Sequence, residues 1–165
     1  MNKEVNFAIE SSKILLRKIN RRNLHQILNL KVKPKQRSLV AANAVSIAEA
    51  HFTRGAWFRA IYLNQTPIGF VMLNDNSLKF NKIKSKQSDI YFWRFMIDGR
   101  YQGKGYGRKA MELVIEYAKS RPNVKVMTLH HEPSKGNAGD FYKKFGFKYT
   151  GRTLEGELEM RLELV

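Results

Sequence analysis

A chain of 165 residues has the size of one ordinary domain and is long enough to bury a core without disulfides or metal. A hydrophobic fraction of 43% argues against disorder, and the lack of cysteine excludes a disulfide scaffold, a cysteine-ligated zinc site and a cysteine nucleophile together. Thirty Lys and Arg against fourteen Asp and Glu leave +16, a field that attracts polyanions such as nucleic acid or a phosphate-rich small molecule.

The basic residues are spread along the whole chain. The densest run, Lys31 to Arg37, reads as a solvated loop. No apolar run reaches the length of a membrane span, and Met1 to Lys13 carries charges without the apolar stretch of a signal peptide. We expect one domain over residues 1–165, in the cytoplasm, with no membrane partner.

In chain order, Lys13 to Ile19 is the first strand. Asn20 offers an N-cap to a helix carrying Leu24, Ile27, Leu28 and Leu30 at helical spacing. Pro34 lies in the break that follows. A second helix is expected over Asn43 to Phe52, with Val45, Ile47, Ala48 and Phe52 as its apolar stripe. Trp57 to Leu63 and Ile68 to Leu73 form a hairpin about the turn Asn64 to Pro67. Asp75 to Gln87 is polar and reads as an exposed loop.

Asp89 to Ile97 is a dense apolar strand, placed centrally. It leads through Gly103-Lys104-Gly105-Tyr106-Gly107 into a helix with Tyr106, Ala110, Leu113, Val114 and Tyr117 on one face, stopped by Pro122. Val124 to His131 is the next strand. Asn137 to Phe145 is a short helix closed by Gly146. Two strands, Phe147 to Thr153 and Glu157 to Leu164, finish the chain. The order β-α-α-β-β-β-α-β-α-β-β predicts a mixed α/β (α+β) domain with a partly antiparallel sheet.

A glycine loop after an apolar strand, opening a helix, has a physical use. Backbone N–H groups without side chains in the way approach an anion closely, and the helix N-terminus behind them adds roughly half a positive charge. Lys104, Arg108 and Lys109 add mobile charge beside it. The dinucleotide fingerprint fails, because it needs glycine where Arg108 stands. A phosphate-binding P-loop fails as well, since no Ser or Thr follows Gly103-Lys104.

What remains is Gln102-x-x-Gly105-x-Gly107 after Arg100-Tyr101, which resembles the acetyl-CoA-binding motif of the GCN5-related N-acetyltransferases (GNAT). The resemblance continues at Ala138 to Phe147, where a tyrosine on a short helix precedes a Gly-Phe entering a strand. Within that superfamily the chain looks most like bacterial spermine/spermidine acetyltransferases, through Arg94 to Asp98 and the C-terminal Thr150-Gly151, Gly156-Glu157 and Met160-x-Leu162. It departs from the pattern at Lys135, where many members have Asn, and Asn137 stands next to Ala138 instead.

The resemblance implies a three-layer fold, a mostly antiparallel twisted sheet of about seven strands flanked by about four helices. It implies transfer of acetyl from acetyl-CoA to a primary amine by direct attack in a ternary complex. The strand Phe95 to Ile97 would splay from Val126 to Leu129, and the cofactor arm would lie along its open edge. Cofactor contacts carried over are Met96, Ile97, Gln102, Gly103, Lys104, Gly105, Tyr106, Gly107, Arg108, Asn137 and Tyr142. Tyr142 would be the general acid, since a phenol with pKa ~10 holds its proton at neutrality.

For the general base, Glu49 is taken as the catalytic candidate, with Glu132, His130 and His131 as others. His25 and His51 lack ligand partners at useful spacing, so no metal is expected. Arg94, inside an apolar strand, calls for a carboxylate, either Asp98 or Glu112. Glu155, Glu157 and Glu159 alternate and would share one strand face. The acceptor is a small-molecule amine, polyamines first. A protein lysine or N-terminus, an amino sugar and an antibiotic stay open. So does a non-catalytic basic domain on nucleic acid, a partner that the lack of a helix-turn-helix or RNP-like strand disfavours. Sheet-edge homodimers are common in such families, which leaves a homodimer open here.

Overall fold

A computed structural model describes residues 12–79, 88–133 and 138–164. Seven strands form one sheet in the order β1-β2-β3-β4-β5-β7-β6. They are β1 (Ile14–Arg17), β2 (Ala56–Leu63), β3 (Thr66–Asp75), β4 (Ser88–Ile97), β5 (Val124–His131), β6 (Lys148–Leu154) and β7 (Glu157–Glu163). All neighbours are antiparallel except β4 and β5. Four α-helices accompany them among the described residues: α1 (Leu24–Leu28), α2 (Asn43–Phe52), α3 (Tyr106–Lys119) and α4 (Gly139–Lys143). Element order and sheet content agree with the expectation.

Two apolar clusters lie on the two faces of the sheet. Strand alternation divides the side chains between them. One face carries Ile90, Phe92, Met127, Leu129, Met160 and Leu162 against Ala110, Met111 and Val114 of α3. The other carries Ala60, Phe70, Met72 and Met96 against Ile27 of α1 and Ala50 of α2. Each fully buried side chain of this size contributes about 1.5–3 kcal/mol. The two clusters hold the three layers together.

Several local expectations need correction. The N-cap of α1 is Asn23, not Asn20; Asn20 Oδ1 instead accepts from Arg22 N at 2.9 Å, building the turn before the helix. Helix α2 has the expected bounds, but of the expected stripe only Ile47 packs on the core. Val45 and Phe52 are 49% and 87% exposed, whereas Asn43, Ser46 and Ala50 are buried. Asn43 earns its burial through Nδ2, which donates to Ile27 O at 2.8 Å. Small residues let the helix axis approach the sheet, and an apolarity stripe does not report that.

Asp75 is the end of β3, fully buried, rather than the start of an exposed loop. Its carboxylate accepts from Ser77 N and Oγ and from Tyr117 Oη, and Arg121 Nε lies 3.1 Å away. The remainder of that predicted loop, from residue 80, lies outside the described residues. Glu155 sits in the β6–β7 turn with φ 50°, followed by Gly156 at 88°, so it leaves the strand and only Glu157 and Glu159 share a face of β7. Positive φ at both central residues gives the turn a twist that matches its strands.

Candidate functional site

The site starts from a break in the sheet. β4 and β5 pair from Ser88↔Val124 to Tyr91↔Thr128 and no further. On its other side β4 keeps its partner β3 as far as Gly69↔Ile97. The register between β3 and β4 jumps from Met72↔Arg94 to Leu73↔Phe92, leaving Trp93 as an extra residue. A bulge bends its strand and increases the twist. β4 therefore stays with β3 and parts from β5, as the sequence comparison implied for Phe95 to Ile97.

Parting leaves a backbone edge open. Asp98 N donates to Ile68 O at 2.8 Å, so the Asp98 N–H points toward β3. Alternation then points the Ile97 N–H away from β3, into the opening. Ile97 O, on the same side, accepts from Gln102 Nε2 at 2.8 Å. Gln102 Nε2 also donates to Gln36 Oε1 at 2.8 Å, tying the glycine loop to the loop after α1. Asp98 completes this anchor by accepting from Lys31 N, Arg100 N and the Arg100 guanidinium. Burial works against its charge, but these donors outweigh it and hold the carboxyl below its usual range.

The opening is a cleft of about 900 Å³ running between the parted strands. At one end it meets the N-terminus of α3. Gly105, the N-cap, has φ 81°, and Gly103 has φ 76°; a Cβ at either would meet no atom within 4 Å. The space over the loop is thus kept open by the missing side chains. No side chain caps α3, and its first turn contains no acid. A fourteen-residue helix whose uncapped N-terminus faces a cleft is suited to an anion. The loop and the open strand edge together fit an extended ligand with a diphosphate at the loop and an amide-bearing arm along β4.

The cleft lining includes Met96, Ile97, Gln102, Gly103, Gly105, Gly107, Arg108 and Tyr142 of the sequence-derived set. Lys104, Tyr106 and Glu49 lie outside it. Lys104 Nζ sits 5.9 Å over the Tyr101 ring, and Tyr106 packs on the α3 core. Arg108 reaches the cleft while its Nε pairs with Glu112 at 3.1 Å. Asn137 lies outside the described residues.

Tyr142 is held by aromatic edges, with ring centroids 5.8 Å from Phe92, 5.4 Å from Phe141 and 5.8 Å from Phe147. Burial pushes its phenol well above the ordinary range, so it is protonated at any physiological pH. Glu49 is paired with Arg94 at 3.3 Å, and Arg94, not Glu49, lines the cleft. This corrects the expected partner of Arg94: Asp98 is taken by Arg100 and Glu112 by Arg108. Sequence spacing hid the true pair, because it joins residues 45 positions apart.

On the face of α1 and α2, the wall also presents Tyr91, His130, Glu132 and Glu157. Burial first, then Glu157, raises the Tyr91 phenol, while Arg94 pulls it back. Sequence reasoning named His130, Glu132 and Glu157 but missed Tyr91 and Gln36. Only the bulge and the loop anchor reveal them, and neither leaves a spacing signal.

The profile of the acetyltransferase (GNAT) family matches residues 22–147 of the chain. The chain is 28% identical over 146 residues to the spermine/spermidine N(1)-acetyltransferase of Bacillus subtilis, covering 86% of this chain and 93% of that one. Among solved structures it resembles the spermidine N-acetyltransferase of Vibrio cholerae in complex with CoA and spermine. That likeness has a TM-score of 0.66 and 19% identity, over 92% of this chain and 95% of that one. The PaiA N-acetyltransferase of Thermoplasma acidophilum, in complex with coenzyme A, superposes with a TM-score of 0.64 at 16% identity, over 92% and 99% of the two chains.

Proposed function

The chain belongs to the acetyltransferase (GNAT) family, and from that premise we propose that it acetylates a primary amine of a small polycation, using acetyl-CoA. The observation that carries the proposal is the parting of β4 from β5 directly above an uncapped α3 N-terminus. Acetyl-CoA bound there would supply the acetyl group as an activated thioester. Gly103, Gly105 and the first-turn N–H groups of α3 would hold the diphosphate. The open edge of β4 would take the arm, and Met96 and Ile97 would border the thioester. The Ile97 N–H is the donor best aimed at charge developing on the carbonyl oxygen, and it needs no reorganisation to act.

Tyr142 would hold a proton at Oη for the departing sulfur. A phenol raised by burial gives up its proton reluctantly, but the same dry surroundings raise a thiol sharing them, so the match is kept. Glu49 would act on the acceptor side through Arg94, fixing the guanidinium that lines the cleft.

The relatives' substrates and the acidic wall point to the acceptor. The Bacillus subtilis and Vibrio cholerae proteins are named for spermine or spermidine. In a chain of +16, Glu132 and Glu157 place carboxylates along one wall of the cleft. The same two residues continue into an adjoining depression with Glu155. A polycation repelled at long range would find its attraction there, within a Debye length of about 8–10 Å. The test is CoA thiol release over a panel of amines. We expect spermidine to lead, with a KM that rises with salt. Background turnover of spermidine beside good turnover of a peptide N-terminus would reject the polyamine reading and keep the acetyltransferase.

A further inference from the structure

His130 and His131 are adjacent, yet strand alternation sends them to opposite faces of β5. His131 is fully engaged. Its Nδ1 lies 2.9 Å from Glu132 O and its Nε2 3.1 Å from Tyr149 Oη, and its ring stands beside Tyr142 on the α3 face. His130 lies beyond Thr128, where β4 has left, with its ring 5.6 Å from that of Tyr91. It faces the α1 and α2 side, opposite Tyr142.

The two nitrogens of His130 differ. Nε2 is 3.6 Å from Glu159 Oε2, and residues 130 and 159 are direct cross-strand partners on β5 and β7. Nδ1 is buried without a hydrogen-bond partner among the described residues. The tautomer that suits the carboxylate carries its proton on Nε2, which leaves a lone pair on Nδ1. Buried polar atoms are nearly always satisfied, so an orphaned one on a residue that lines the cleft calls for a partner from outside the described residues. The side chain is 11% exposed, so it is held rather than displayed.

We propose that His130, oriented by Glu159, is the base that takes the acceptor's proton. The idea rests on the acetyltransferase reading. One N–H bond of the ammonium group breaks, and its proton forms the Nδ1–H bond of an imidazolium balanced by Glu159. The electron pair left on the amine nitrogen is the one that forms the new C–N bond. After turnover the proton goes to solvent. Acid and base then stand on opposite faces of the opening: Tyr142 toward α3 and α4, His130 toward α2. Each works on its own reactant. Glu49, committed to Arg94, is left with a positioning part.

The charged and titratable groups around His130 are Tyr91 and Arg94 from β4, Glu157 and Glu159 from β7, Glu132 at the end of β5, and Glu49 behind Arg94. Tyr91 is raised, so its phenol stays protonated at physiological pH.

The experiment joins a rate profile to a readout that needs no turnover. In His130→Gln, kcat/KM for the most active amine should fall about 10²-fold at pH 7, and its rise with pH near neutrality should vanish. Acetyl-CoA binding should be unchanged. Glu159→Gln, which frees the ring, should lower kcat/KM for the same amine, and Glu49→Gln should leave the rise in place. By NMR on the protein with CoA bound, so that no acetyl is transferred, the amine should move the His130 ring signals. A normal profile in His130→Gln, a rise that disappears with Glu49, or His130 signals indifferent to the amine would each overturn the assignment. Wild-type protein that releases CoA with no amine would instead overturn the acetyltransferase reading beneath it, and the base with it.

Discussion

The two ends of the β4–β5 pair are built from similar residues and treat them in opposite ways. At the paired end, Asp75 is fully buried, yet both its oxygens are satisfied by Ser77, Tyr117 and Arg121. Tyr117 stacks on Trp57 at 4.1 Å, and burial followed by the Asp75 bond holds its phenol far above the usual range. At the parted end, the edge of β4 has lost its β5 partner, keeping the Gln102 bond to Ile97 O, α3 has no side-chain cap, and His130 Nδ1 lacks a partner among the described residues. A burial count alone would rate the two ends alike. Satisfaction separates them: closed networks hold the fold, and open ones await a ligand.

That contrast breaks most easily at Tyr142. Tyr142→Phe keeps the aromatic packing and removes one proton, so kcat should drop by roughly 10²-fold, the low end for a general acid. Acetyl-CoA affinity, read by calorimetric titration, should hardly move. Equal turnover at neutral pH would make Tyr142 a packing residue like its neighbour Phe147.

The next effect belongs to the glycine loop. Gly105→Val puts a branched side chain at φ 81° and into the open space over α3. We expect acetyl-CoA affinity to fall more than tenfold. The backbone strain costs about 1–2 kcal/mol, which the circular dichroism melt should register without loss of the fold. Full affinity in a folded variant would remove the loop from the binding site.

The smallest effect sharpens the comparison from the closed end. Tyr117→Phe strips one donor from buried Asp75 and should cost about 1–3 kcal/mol in a denaturant titration. Acetyl-CoA affinity and turnover should stay at wild type. A loss of turnover without a loss of stability would mean that the closed end is coupled to the cleft after all.

Much of this molecule was legible in its residues. The element order, the α2 and β5 bounds and the glycine loop follow from periodicity and from residues with single-purpose backbones. Such signals are local: a positive φ or a period of two is written within a few positions. The place of the glycine loop at the cleft was readable for the same reason, because a loop and the helix behind it are contiguous in the chain.

What tertiary structure decided were relations between distant residues. Arg94 meets Glu49, not the carboxylates nearer to it in sequence, because α2 docks by Asn43, Ser46 and Ala50 and turns Val45 and Phe52 outward. His130 and His131 look equivalent as letters, but the adjacent Glu132 carbonyl and Tyr149 of β6 give His131 a partner for both nitrogens, while Glu159 of β7 gives His130 a partner for one. Local conformation depends on the residue itself. The chemistry of a side chain depends on what packs beside it, and that is settled only when strands far apart in the chain come together.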